Sequence, residues 1–128
     1  MDNIYSNDLN VIELIKKDFI ISKNSIKINE KINNNLHGIL ICYAPWCSHC
    51  VLTRDLWIKL SELFKSKFNF FSLNTYNFND KNQDLVKNLK ISVYPTYKLI
   101  DKNGYIQDYY GGKKEDEFIQ YIMAKITK

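Results

Sequence analysis

Five consecutive residues, Ile39-Leu40-Ile41-Cys42-Tyr43, are apolar without alternation. A strand with one wet face alternates polar and apolar side chains, so an unbroken run of this length predicts a central strand buried on both faces. Such a strand needs helices on both sides of its sheet, which points to an α/β domain. Directly after it come Ala44-Pro45-Trp46-Cys47-Ser48-His49-Cys50, and then Val51 to Leu60 with apolar residues at helical spacing. The two cysteines therefore fall at a strand-to-helix corner.

That corner has chemical consequences. The first N–H groups of a helix lack intrahelical partners and carry the positive end of the helix dipole, so they favour an anion. Cys47, at or just before the first turn, is the candidate reactive thiolate. Cys50 lies about one turn further in, able to close a disulfide with Cys47 but shielded from outside partners. A structural zinc half-site, with His49 as a further ligand, is the alternative. Zinc needs four ligands, and the other candidates, Cys42 and His37, are scattered by the strand reading. Three cysteines are also too few and too odd in number for a secreted disulfide framework, so the pair reads first as redox-active.

Composition narrows the class. A chain of 128 residues suits one domain, and 45% hydrophobic with 14% aromatic residues suits a globular one. The net charge of +4 comes from lysines dispersed among acidic residues, Arg54 being the only arginine, which gives nucleic-acid binding little support. No apolar run reaches membrane-spanning length, and neither end carries a signal-peptide, retention or lipidation pattern, so a cytoplasmic chain without membrane attachment is expected. Heavy use of Lys, Asn and Ile makes Asn33-Asn34-Asn35 read as coding bias.

Along the chain, apolar spacing from Leu9 to Ile15 predicts an amphipathic helix over residues 6–17. A short strand follows at Phe19-Ile20-Ile21, and the four-residue repeat of Ile28, Ile32 and Leu36 predicts a helix ending near Gly38. After the cysteines a helix is expected to about Lys67, with Leu52, Leu56, Leu60 and Phe64 facing inward. Phe68 to Leu73 reads as a second buried strand and Asn82 to Leu89 as a helix with Leu85, Val86 and Leu89 inside. Pro95 interrupts the next run, after which Thr96 to Ile100 alternates as a strand. Asn103-Gly104 signals a hairpin returning through Tyr105 to Tyr110. A last helix from about Lys114 turns Phe118, Ile119, Ile122 and Ile126 inward.

With these elements in order, the residues resemble the thioredoxin superfamily, and within it the protein disulfide isomerase branch. Tyr43-Ala44-Pro45-Trp46-Cys47-Ser48-His49-Cys50 is similar to that branch's active-site segment, with Ser48 in place of its usual Gly. Val93-Tyr94-Pro95-Thr96 is similar to the loop that carries the superfamily's cis-proline, and Gly111 matches a family glycine after the last strand. The resemblance implies a thioredoxin fold over residues 19–128, a central mixed sheet flanked by helices, preceded by a helical extension at 1–18. It also implies thiol–disulfide exchange with cysteine-containing protein substrates, with Cys47 attacking, Cys50 resolving and no cofactor or metal. His49 when protonated would stabilise the Cys47 thiolate, and Trp46, Tyr94, Pro95 and Gly111 would contact substrate. A redox partner protein is implied, and a monomer or weak dimer is expected. Two positions depart from the pattern: Ile41 stands where the family buries an acidic residue, and Asp55 where a proline often kinks the helix. A non-catalytic binding module on the same fold is the alternative function.

Overall fold

The computed structural model describes residues 4, 5, 10–76 and 83–127. Among them, β4 (Gly38–Tyr43) is buried at every position, as the unbroken apolar run requires. It sits at the centre of a five-stranded mixed sheet. To one side lie β5 (Asn69–Asn74) and then β1 (Val11–Leu14), both parallel to their neighbours. On the other side lie β6 (Thr96–Ile100) and β7 (Ile106–Asp108), each antiparallel to the strand before it, so the order is β1-β5-β4-β6-β7. A separate hairpin, β2 (Phe19–Ile21) with β3 (Ile26–Ile28), attaches beside the β6–β7 turn, where the Ile28 N–H donates to the Gly104 carbonyl at 2.9 Å.

Two apolar clusters, one on each face, hold the sheet. The first contains Ile39, Ile41, Tyr43, Phe70, Tyr97, Cys50, Trp57 and Leu60, with Phe118 and Ile122. It lies under the helices α2 (Ser48–Leu63) and α4 (Glu115–Ile126). The second contains Leu40, Cys42, Phe71, Leu73 and Ile100 together with Leu85 and Leu89 of α3 (Gln83–Asn88) or its end. Trp57 anchors the first: it is fully buried, packs on Phe70, Tyr97 and Phe118, and donates its indole N–H to the Phe71 carbonyl at 3.2 Å.

Among the described residues 10–17 the helix expected over 6–17 is not formed. Residues 6–9 lie outside those described, and Val11 to Leu14 extend as β1, followed by a 3₁₀ turn at Lys16–Asp18. Val11 enters one core and Leu14 the other, and β-branched residues fit a pleated, two-sided slot beside β5 better than a helix. Val11 to Leu14 are thus part of the sheet, in place of the expected helical extension.

A second expected helix shrinks to α1 (Glu30–Asn33), with β3 taking Ile26 to Ile28. Asn29 caps it by accepting the Lys31 N–H at 3.1 Å, and Asn34 and Asn35 then turn left-handed with φ of 55° and 58°. Asn33 is buried, its amide donating to the carbonyls of Asp101 at 3.2 Å and Lys102 at 2.6 Å. The asparagine tract is therefore structural, since Asn tolerates left-handed backbone where most residues do not.

Two smaller differences concern faces and turns. On α2 the inward set is Cys50, Trp57, Leu60 and Ser61, while Leu52 is 80% exposed; Cys50 and Trp57 fix the buried face, and Leu52 falls outside it. The Asn103-Gly104 turn is wider than a two-residue hairpin, because β7 resumes only at Ile106. Asp101 Oδ1 accepts the N–H groups of Asn103 and Tyr105, at 2.9 and 3.0 Å. Gly104 has φ +90°, and a Cβ there would stand 2.9 Å from the Ile28 carbonyl oxygen. Among the described residues no helix is long and apolar enough to cross a membrane.

Candidate active site

The corner after β4 is built by backbone bonds. Thr75 holds the strand end, donating both its N–H and its hydroxyl to the Tyr43 carbonyl at 2.9 Å. The Cys47 N–H donates to Ala44 at 3.0 Å, closing the turn, and the Val51 N–H donates to Cys47 at 3.1 Å, opening α2. Cys47 is the N-cap, and its sulfur accepts the Cys50 N–H at 3.3 Å. The side chain that normally supplies an oxygen to the free N–H groups here supplies sulfur, and an ionised acceptor makes the stronger bond.

The two sulfurs differ in access. Cys47 is half-buried, whereas Cys50 is fully buried. Burial raises the Cys50 pKa, and the hydrogen bond with Cys47 adds to the rise. The arrangement gives one sulfur an approach from solvent and keeps the other a thiol behind it. Cys42 is fully buried on the opposite face, its thiol pushed up to about 12 by burial.

Tyr94 and Pro95 face the pair. Their peptide bond is cis, and the Tyr94 carbonyl oxygen stands 3.8 Å from the Cys47 sulfur. Beside them a groove of about 370 Å³ is lined by His49, Thr53, Val93, Tyr94, Pro95 and Lys113, among others. Trp46 is 56% exposed and meets Tyr94 and Tyr76 edge-on, with centroids 5.8 and 6.4 Å apart. A second hollow of about 310 Å³ lies on its far side, between Trp46, Tyr94, Thr75, Tyr76 and Val86.

The structure thus brings together Cys47, Cys50, His49, Trp46, Tyr94 and Pro95. Gly111 is not among the groove-lining residues; a Cβ on it would stand 2.6 Å from the Tyr109 ring, so its lack of a side chain serves local packing. His37 sits half-buried beside Gly38 at the start of β4, while Cys47 follows that strand's other end. Among the described residues no group of three His, Cys, Asp or Glu side chains could hold a metal ion.

Three groups on the cysteine-bearing face of the sheet escaped the sequence reading. Glu13 of β1 accepts the Tyr43 hydroxyl at 2.6 Å and the Asn74 N–H at 3.2 Å. Burial raises its pKa, opposed by those hydrogen bonds. Tyr5 packs edge-on against Tyr43 at 5.3 Å, and Tyr97 lies within electrostatic reach of Cys50. The available signal was one acid inside the apolar run Val11-Ile12-Glu13-Leu14-Ile15, which a helix reading places on a polar face.

Known proteins are similar to this chain in sequence and fold. A family model described as Thioredoxin matches residues 19–124. A probable protein disulfide-isomerase A6 of Medicago sativa is 33% identical over 99 residues, 76% of this chain and 27% of that protein. Protein disulfide isomerase-like 2-2 of Oryza sativa subsp. japonica is 36% identical over 95 residues, 73% of this chain and 25% of that protein. The chain spans about a quarter of the length of these curated relatives. Among solved structures, thioredoxin f from spinach chloroplast (short form) superposes with a TM-score of 0.67 at 25% identity, covering 90% of this chain and 92% of that one. The J-Trx1 fragment of ERdj5 gives 0.72 at 15% identity, covering 97% and 55%.

Proposed function

The chain belongs to the thioredoxin family, and from that premise we propose that it is a disulfide-isomerase-like thiol–disulfide oxidoreductase, exchanging disulfides with cysteine-containing proteins through Cys47-Ser48-His49-Cys50. The observation that carries the reading is the asymmetry of the pair: Cys47 caps α2 and is open to solvent, while Cys50 is buried one turn behind it. In the reducing direction the Cys47 thiolate attacks a substrate disulfide, forming a mixed disulfide and releasing one substrate thiolate. Cys50 then loses its proton and attacks Cys47, closing the Cys47–Cys50 disulfide and releasing the second substrate thiolate. Oxidation runs the same steps backwards. A partner protein restores the starting redox state.

His49 and Trp46 have distinct roles in this scheme. An imidazolium on the first turn of α2 adds a positive charge to the helix end and stabilises the reduced pair, which makes the disulfide more oxidising. The range available is wide, from about −270 mV for thioredoxin to about −180 mV for disulfide isomerase, or roughly 4 kcal/mol. Trp46 and the two hollows flanking Tyr94 receive the apolar segment of a substrate around its cysteine.

Replacing Cys50 with Ala tests the proposal. The variant is expected to accumulate mixed disulfides with reduced, unfolded substrate proteins under mild oxidant, released by dithiothreitol and absent when Cys47 is also replaced. Wild type is expected to catalyse insulin reduction. Absence of both activities overturns the enzyme reading in favour of a binding module, the alternative that the apolar Ile41 in the same core as Cys50 supports.

A further inference from the structure

One row of paired residues crosses the sheet on the face that carries the cysteines. Glu13 of β1 is in register with Ser72 of β5, Ser72 with Ile41 of β4, and Ile41 with Tyr97 of β6. Paired side chains point to the same face, and Ile41 and Tyr97 share a core with Cys50. Ile41 has no proton to give or take. Glu13 lies two strands away, about 10 Å at the usual strand spacing. Its carboxylate is half-buried and held by the Tyr43 hydroxyl and the Asn74 N–H, with the buried Ser72 paired to it across the sheet.

Tyr5 shares the core of Cys50 and packs on Tyr43, the residue that holds Glu13. It is fully buried against Tyr43, and its hydroxyl has no hydrogen-bond partner among the described residues. It lies within electrostatic reach of both Cys50 and Glu13. A buried hydroxyl without a partner is costly, and this one is free to accept and to donate once a side-chain shift brings a partner within reach. The other ionisable groups around the cluster are Cys47, Tyr97 and the Arg54 guanidinium, which donates to the Ile4 carbonyl from α2.

We propose that Glu13 is a positioning residue for the Cys50 step, holding through Tyr5 the proton that the buried thiol must release. The inference rests on the oxidoreductase reading. The Cys50 sulfur gives its proton to the Tyr5 oxygen as the Tyr5 hydroxyl proton passes to the Glu13 carboxylate, which Tyr43 and Asn74 hold in place. The Cys50 thiolate attacks the Cys47 sulfur, the Cys47–Cys50 bond forms, and the bond from Cys47 to the substrate sulfur breaks. Glu13 afterwards returns its proton to the departing thiolate or to water.

The test follows release of 2-nitro-5-thiobenzoate from a preformed mixed disulfide on Cys47 in single turnover, from about pH 4 to 9. In wild type the rate is expected to rise as pH passes a carboxyl ionisation above the ordinary carboxylate range, because only ionised Glu13 accepts a proton. Glu13→Gln is expected to lose that inflection and to slow release roughly a hundredfold at its plateau, with partial rescue by Glu13→Asp. Tyr43→Phe removes a donor to the carboxylate and is expected to move the inflection to higher pH. A Glu13→Gln profile that matches wild type overturns the proposal. Should that variant not fold, an unmoved inflection in Tyr43→Phe overturns it as well. Failure of wild type itself to release the thiol overturns instead the oxidoreductase reading beneath it.

Discussion

The sulfur of Cys47 and the carbonyl oxygen of Tyr94 stand 3.8 Å apart across the mouth of the site. This leaves Cys47 the one half-exposed thiol among three, because Cys42 and Cys50 are fully buried. Iodoacetamide near neutral pH is expected to modify Cys47 at least about tenfold faster than the other two, since reagent access and thiolate character set the rate. Peptide mapping by mass spectrometry reads the order. Equal labelling in the native state contradicts the structure, whereas equal labelling in denaturant is expected.

Trp46 is exposed, and its ring contacts among the described residues are T-shaped ones with Tyr94 and Tyr76. Trp46→Ala should therefore leave the unfolding midpoint nearly unchanged. An aromatic pair formed with a bound peptide is worth about 0.5–1.5 kcal/mol, so KM for a peptide disulfide is expected to rise roughly twofold to tenfold when the indole is removed. A large drop in stability instead would make Trp46 a core residue.

Gly38 starts β4 where the chain has no room to spare. A Cβ there would come within 2.6 Å of the Phe71 ring, 2.8 Å of the Asn69 Cβ and 2.9 Å of the Asn69 carbonyl oxygen. Two of these neighbours are held by the sheet, so Gly38→Ala is expected to cost about 1–3 kcal/mol in urea unfolding, as overpacking does. The active-site corner is at the far end of the strand, and the remaining folded fraction should cycle normally.

Acid stability depends in part on Lys98, whose mostly buried ammonium meets Asp108 at 2.9 Å. Hydrogen bonding and charge from Lys98 lower the Asp108 pKa. A depressed carboxyl stabilises the fold fully above its unfolded value, about 3.9, and that contribution is lost as pH falls through the lower folded value. Asp108 is mostly exposed, and solvent screening limits the effect to at most about 1 kcal/mol. Asp108→Asn should flatten the unfolding free energy across this acid window, as urea titrations at successive pH values would reveal.

How much was legible in the sequence depends on how many faces a segment buries. β4 and β5 are apolar on both faces, so composition alone marks them. The corner was legible because cysteines three apart and Pro95 carry chemistry that spacing exposes. β1 was misread because Val11, Ile12, Leu14 and Ile15 fit a helical period as well as a two-sided strand, and only pairing with Phe70 to Leu73 decides between them. Glu13 was hidden by the same error, since its partners Tyr43 and Asn74 are 30 and 61 residues away. The asparagines at 33 to 35 were masked by their own abundance. Their roles depend on the backbone angles and on accepting carbonyls in a distant turn.

The sheet separates Cys42 from the other two thiols, placing them in different cores. Of the three disulfides that three cysteines could form, a native molecule can close only Cys47–Cys50. A bond to Cys42 requires that the sheet first come apart. Such a bond, found in a recovered sample, is a covalent memory that the molecule once opened, and it turns an otherwise silent residue into a tally of unfolding events.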